Sequence, residues 1–229
     1  MNDRLALVRC EGVARTYGHG PTAAVALQVT DCEVFVGQRI ALVGPSGSGK
    51  STLLHLMAGL DDPTVGEVSW PAIGQRDELR PGRVAVVFQG PSLLPPLTVL
   101  ENTALPLVIG GMTDREAREV ARGALQTLEL EDLTDKLPEE ISGGQAQRVA
   151  VARALAGRPS LILADEPTGQ LDSVNGAAVV DVLLAASAHA GSALVISTHD
   201  LKVAARLPER WEIHSGELTI NTREATWSR

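Results

Sequence analysis

Aromatic side chains are scarce in this chain: three Trp, two Phe and one Tyr make up 3% of 229 residues, in a sequence that is 44% hydrophobic. The core must therefore be built from Val, Leu, Ile and Ala, which suits a parallel sheet covered by helices. Cysteine is nearly absent. Cys10 and Cys32 have neither the CxxC spacing of a metal or redox site nor the framework of a small secreted fold, so a reducing cytoplasm is the simplest setting. Positive charge is in deficit, 20 Lys and Arg against 28 Asp and Glu for a net charge of −8, so much of the surface would repel nucleic acid and no nucleic-acid partner is expected.

Long apolar runs are missing too. The start, "MNDRLALVRCEG", is interrupted by Asp3, Arg4, Arg9 and Glu11, which leaves no apolar region for a signal peptide. Even "AAVVDVLLAASAHAG" carries Asp181 and His189, so nothing approaches the roughly 18 apolar residues that read as a spanning helix. If the protein serves a membrane, another chain must do the spanning. With no repeats, low-complexity stretches or long linkers, residues 1–229 read as one domain.

What is present is a succession of short apolar runs that end in loops and lead into helical patterns: "RIALVG", "VAVVF" at 84–88, "LILAD" at 161–165 and "ALVIST" at 193–198. Strands of that length, apolar on both faces and separated by helices, predict an α/β fold with a mostly parallel core sheet. Ligands of such sheets gather at the carboxyl ends of the strands. The earlier runs "LALVRCEGV" and "VALQVTDCEVFVGQ" alternate more clearly and predict an antiparallel portion. From residue 98 the pattern turns helical, with Thr113 and Glu116 spaced as a capping box, so a helical subdomain is expected over about 98–157.

The stretch "GPSGSGKST" follows the strand "IALV" and opens the helical pattern "KSTLLHLMAGL". It satisfies G-x-x-x-x-G-K-[ST] in the strand-loop-helix context the motif needs, with backbone amides and a helix N-terminus turned toward phosphate oxygens. Gly44, Pro45, Ser46, Gly47, Ser48, Gly49, Lys50, Ser51 and Thr52 are thus the candidate nucleotide-binding residues. Lys50 would reach the β- and γ-phosphates and Ser51 would give its hydroxyl to Mg²⁺. His55, farther along, reads as packed or solvated.

"LILADEP" is an apolar strand that delivers two carboxylates. Beside a phosphate loop, Asp165 is placed to hold Mg²⁺ and Glu166 to orient or deprotonate an attacking water. "STHD", residues 197–200, brings His199 to the same sheet edge. A Ser-His-Asp hydrolase triad is disfavoured because no G-x-S-x-G elbow exists in the chain. In "ISGGQAQRVAVARAL", Ser142 and Gln145 read as a capping box. The capping box leaves Gly143 and Gly144 unexplained, and consecutive glycines at a helix N-terminus suit close approach to an anion.

Taken in order, these motifs resemble the nucleotide-binding subunits of ABC transporters: Walker A at 44–51, the signature at 141–145, Walker B at 161–166, with Tyr17 in "RTYG", Gln89 in "VVFQ", Asp172 in "GQLD" and His199 in "STHD". The resemblance spans nearly the whole chain. It implies a P-loop NTPase of the ABC cassette type, using ATP and Mg²⁺, in which two cassettes pair head to tail as a homodimer or a heterodimer. Ser142, Gly143, Gly144 and Gln145 of one subunit would then contact the γ-phosphate held by the other. Tyr17 would stack on adenine, Gln89 would sense Mg²⁺ or water and signal to the membrane, Asp172 would contact the opposite subunit, and His199 would engage the γ-phosphate. Read from the residues alone, Tyr17 is as well a half-buried aromatic and Gln89 a polar strand terminus.

The stretch "FQGPSLLPPLTVLENTALPLVIGG" is similar to the lipoprotein-releasing, macrolide-exporting and FtsE-like branch of the superfamily. That resemblance implies an integral membrane permease partner, met by this stretch on the cytoplasmic face of the cell membrane. No regulatory domain is expected beyond His199. The chain departs from the family pattern at Ile141 and Ala146, and residues 66–89 are fewer than usual, which implies a reduced antiparallel portion. Two other classes fit less well. A soluble ABC-type ATPase of ribosomes or DNA would bring a second cassette or a long coiled coil, and a P-loop kinase would bring an acceptor domain.

Overall fold

The computed structural model describes residues 5–90, 92–169 and 171–221; residues 1–4 of the stretch read above as lacking a signal peptide lie outside it. Two sheets organise the fold. Strands β1 (Ala6–Tyr17) and β2 (Ala24–Phe35) pair antiparallel, and a third strand, β4 (Val65–Ser69), joins the free edge of β1. Strand β4 did not stand out in the sequence, because "VGEVS" lies half exposed at a sheet edge and shows little apolar alternation.

The second sheet has the order β5 (Val84–Val87), β6 (Leu161–Asp165), β7 (Ala193–Thr198), β3 (Arg39–Val43), β8 (Glu209–His214), β9 (Glu217–Asn221). All its pairs are parallel except β8 with β9. This hairpin turns at Ser215 and Gly216, both at positive φ, 48° and 80°. That is the two-residue turn favoured between twisted strands.

Alternation along the central strands sends side chains to opposite faces. Ile40, Leu42, Leu161, Leu163 and Val195 join α1 (Lys50–Met57) and the antiparallel sheet in one core. Ala41, Val43, Ile162, Ala164, Leu194 and Ile196 pack on the other face against α5 (Ser173–Ala190) and the short α6 (Leu201–Ala204). A third cluster is helical, formed by α2 (Val99–Ile109), α3 (Asp114–Thr127) and α4 (Gly143–Ala156) around Leu100, Leu125 and Val149.

Each of these three helices starts at a capping box. Thr98 with Glu101, Thr113 with Glu116, and Ser142 with Gln145 exchange side-chain and backbone bonds in both directions. The first of the three has the same spacing in "TVLE". Bonds of this kind hold the Glu101 and Glu116 carboxyls below their ordinary range, through the backbone amide of Thr98 at Glu101 and the hydroxyl of Thr113 at Glu116. Among the described residues no helix is long and apolar enough to cross a membrane.

Candidate active site

The loop between β3 and α1 is shaped by two glycines that sit where no side chain fits. A Cβ on Gly44 would lie 2.2 Å from the Ile213 carbonyl oxygen, and one on Gly49, at φ 109°, would lie 2.3 Å from that of Ala26. No side chain caps α1, and Gly49, the residue before it at the N-cap position, is itself in the left-handed region. The first amides of the helix are thus left for an outside anion. Among the described residues the buried Ser48 hydroxyl has no hydrogen-bond partner. Thr52 is buried at the start of the helix, while Pro45, Ser46, Gly47 and Ser51 are exposed.

Lys50 is 5% exposed, and its ammonium is folded back over the loop, donating to the carbonyls of Gly44 at 2.8 Å and Pro45 at 3.0 Å. Its charge is met by Glu166, whose Oε1 lies 3.2 Å away. The other oxygen of that carboxylate faces His199 Nδ1 at 2.9 Å. Glu166 is buried and has φ 44°, a left-handed backbone conformation in a residue other than glycine. Such strain concentrates where a fold over-determines a functional position. Here the determinant is Ser197. Its hydroxyl accepts from the Glu166 amide at 3.0 Å and donates to Asp165 Oδ1, and its carbonyl accepts from the same amide at 3.1 Å.

Ser197 is therefore a tie between the ends of β6 and β7, and its partner is Asp165, not His199, as a hydrolase triad would require. The sequence marked this residue only as part of a disfavoured triad. No local signal gives its role, because the bond joins residues 32 apart.

Gln89 follows β5 at an exposed position. A Cβ on Gly169 would be 3.5 Å from Gln89 Nε2, which sets that amide beside the turn after Glu166. Gly44, Lys50, Asp165, Glu166, Gln89 and His199 thus lie at or just beyond the carboxyl ends of β3, β5, β6 and β7. His55, one turn and a half into α1, tilts its ring against Phe88 at 6.2 Å, the packing reading of this histidine.

Tyr17 ends β1 and is held from two sides. Its hydroxyl donates to Asp61 Oδ2 at 2.8 Å, and the Arg15 guanidinium lies 4.6 Å from its ring centroid while pairing with both Asp61 oxygens. Burial pushes the Asp61 carboxyl up. The bonds from Tyr17 and the Asp62 amide, with the Arg15 charge, outweigh that effect and hold it below its ordinary value. The Asp61 partner of Tyr17 is not visible in the sequence, being 44 residues away.

Ser142, Gly143, Gly144 and Gln145 form the start of α4, away from the loop of Lys50, with Ser142 and Gly143 exposed and Gly144 and Gln145 half-buried. Ser142 Oγ accepts from the Gln145 amide at 3.2 Å, and Gln145 Oε1 accepts from the Ser142 amide at 2.8 Å. Next to Gly144 stands Asn175, which donates from its backbone and side-chain amides to the two Asp172 oxygens at 2.9 Å and 2.6 Å. The structure brings Asp172 to this turn through Asn175. Among the described residues no hydrogen bond or ion pair joins residues 142–145 to the loop of Lys50.

A groove of about 390 Å³ opens between β5, α2 and α4. Its walls include Val84, Leu105, Pro106 and the 65% exposed Ile109, and its charged members are Arg80 and Arg153. Burial lowers the pKa of both guanidiniums, helped at Arg80 by the charge of Arg76. Among the described residues neither is paired with a carboxylate.

The comparison with known proteins agrees with this geometry. The family model described as ABC transporter matches residues 27–169. The lipoprotein-releasing system ATP-binding proteins LolD of Legionella pneumophila strains Paris and Lens are 41% and 40% identical over 225 residues, 95% of this chain and 98% of theirs. Among solved structures, the dimeric ATP-binding cassette MJ0796 in a post-hydrolysis state with ADP and Pi superimposes with a TM-score of 0.83 at 37% identity, over 93% of this chain and 98% of that one. The cbiO1 protein of Clostridium perfringens, part of the ABC transporter complex cbiONQ, gives 0.80 at 26% identity, over 94% and 87%. With a phosphate loop, an acidic strand end and a glycine-led helix on a shared two-sheet scaffold, the chain belongs to the ABC transporter family as an ATP-binding ATPase cassette.

Proposed function

We propose that this chain hydrolyses ATP as one half of a cassette dimer that drives a separate membrane permease from the cytoplasmic face of the cell membrane, in a system of the lipoprotein-releasing type. The observation that carries the reading is Lys50, buried at the point where the phosphate loop meets Glu166. Residues 1–229 act as one cassette, with the helical part at about 98–157 as its subdomain.

The fit to ATP is argued from the loop itself. The unpartnered Ser48 hydroxyl, the uncapped start of α1 and the Lys50 ammonium together are a donor set for a polyphosphate. The oxygens of Ser51, Asp165 and Gln89 suit a hard cation such as Mg²⁺, which is commonly held by few protein oxygens together with phosphates. When bound, Mg²⁺ neutralises charge developing on the phosphoryl oxygens.

The remaining work falls to side chains. Lys50 exchanges Glu166 for the nucleotide phosphates, which frees the carboxylate to orient the attacking water and accept its proton. His199, on the other Glu166 oxygen, keeps the carboxylate aimed and reaches the γ-phosphate. Tyr17 offers its ring to adenine, and Gln89 reports the state of the site. Ser142, Gly143, Gly144 and Gln145, with Asp172 beside them, serve the ATP of the opposite subunit. The apolar groove at Ile109 takes a cytoplasmic segment of the permease.

The test is affinity purification of the Glu166→Gln variant, loaded with ATP, from detergent-solubilised membranes of its source. A stoichiometric membrane protein is expected. Ribosomal or DNA-bound proteins without a membrane chain would replace the proposal with a soluble ATPase.

A further inference from the structure

Helix α4 carries Ser142 at its start, yet farther along the same helix two side chains grip another loop. Gln147 is 2% exposed, and its Nε2 donates to the carbonyl of Phe88 at 3.1 Å. Arg153, six residues on, donates to the carbonyl of Ser92 at 2.7 Å and to its hydroxyl. Phe88 stands one residue before Gln89 and Ser92 three residues after it. One helix thus holds the Gln89 loop on both sides.

The burial of Gln147 strengthens the case. Among the described residues its buried Oε1 has no hydrogen-bond partner, an arrangement that lowers stability relative to an apolar side chain of the same length. Packing alone gives no reason for a primary amide there, whereas the bond to Phe88 does.

We infer that Gln147 is a positioning residue which, with Arg153, makes α4 a rigid link between the two nucleotides of the dimer. The link rests on the roles proposed above for Gln89 and for Ser142. Engagement of the Ser142 turn by the opposite subunit's ATP shifts α4, and the clamp carries that shift to Gln89 beside this subunit's own site. Gln147 is the cleaner probe, because Arg153 also lines the groove.

The experiment compares the whole protein with Gln147→Met, Gln89→Ala and the double variant, by steady-state ATP hydrolysis and by hydrogen exchange at the amides of Phe88, Gln89, Gly90 and Ser92. Gln147→Met keeps length and volume but has no donor. It is expected to lower kcat about tenfold, the scale of a misplaced site residue, with KM for ATP within about twofold. On the Gln89→Ala background it should add less than about twofold, because both act through one residue. The four amides should exchange at least about tenfold faster, reflecting local opening.

Multiplicative effects of the two substitutions would overturn the inference, as would unchanged protection. If Gln89→Ala leaves kcat unaltered, the role given to Gln89 falls, and the clamp then stands or falls on the exchange data. Should Gln147→Met fail to fold, Gln147→Glu, equally long and lacking a donor when ionised, takes its place with the same expectations.

Discussion

Replacing Glu166 by Gln should weaken the nucleotide-free protein and strengthen its hold on ATP. Glu166 is the only carboxylate paired with Lys50 among the described residues, and both side chains are at least nine-tenths buried. Removing one member of a buried pair leaves an uncompensated charge, at a cost of roughly 3–5 kcal/mol. Lys50 keeps the carbonyls of Gly44 and Pro45, and a glutamine oxygen still accepts a hydrogen bond, so about 2 kcal/mol is the expected loss. For a chain of this size that lowers Tm by about 6 °C.

Phosphates supply Lys50 with a new counter-charge, so saturating ATP should close the gap between variant and wild type. The same 2 kcal/mol then emerges as roughly thirtyfold tighter ATP binding. Thermal unfolding with and without Mg-ATP reads the first effect and titration reads the second. A cycle with Lys50→Met isolates the pair, since in that background Glu166→Gln should be neutral or stabilising. Equal Tm values without nucleotide, or a deficit that persists undiminished with ATP, would refute the reasoning.

Gly49→Ala should abolish ATP binding and destabilise by more than about 2 kcal/mol, since the methyl meets the Ala26 carbonyl at a left-handed position; retained affinity by titration would count against the close approach. Asp61→Asn should loosen Tyr17 and cost no more than about 1 kcal/mol at neutral pH, the pair being partly solvated. Because the folded Asp61 pKa lies below its ordinary value of 3.8, this contribution is full above that pH and disappears as pH falls through the folded value. Denaturant curves of both proteins should therefore converge in acid and not in base. Ile109→Asp, in the groove, should abolish co-purification with the membrane partner while leaving ATP affinity within about twofold, because the side chain is exposed and its loss spares the core.

The parts of the fold written in short-range pattern were legible beforehand. "LILAD" and "ALVIST" are β6 and β7 to the residue, since strands buried on both faces show unbroken apolar runs. The boxes at Thr113 and Ser142 mark the starts of α3 and α4. The edge strand β4 and the hairpin of β8 and β9 escaped, the first for lack of alternation and the second although Ser215 and Gly216 carry a turn signal. At the candidate site, the motifs nominate residues and say nothing of their company. That Lys50 rests on Glu166, that Ser197 ties two strand ends and that Asp61 anchors Tyr17 depends on pairs far apart in sequence, which only the fold brings together.

Tyr17 is the chain's single tyrosine, and it stands at the candidate adenine position with a cation against its ring and a carboxylate on its hydroxyl. Biosynthetic incorporation of fluorotyrosine would accordingly put one resonance into the fluorine spectrum of the whole protein, with no engineered label and no assignment problem. The Arg15 charge and the Asp61 bond both polarise that ring, so its chemical shift should respond to either being disturbed. The scarcity of aromatics thus leaves a built-in spectroscopic reporter at the candidate adenine position.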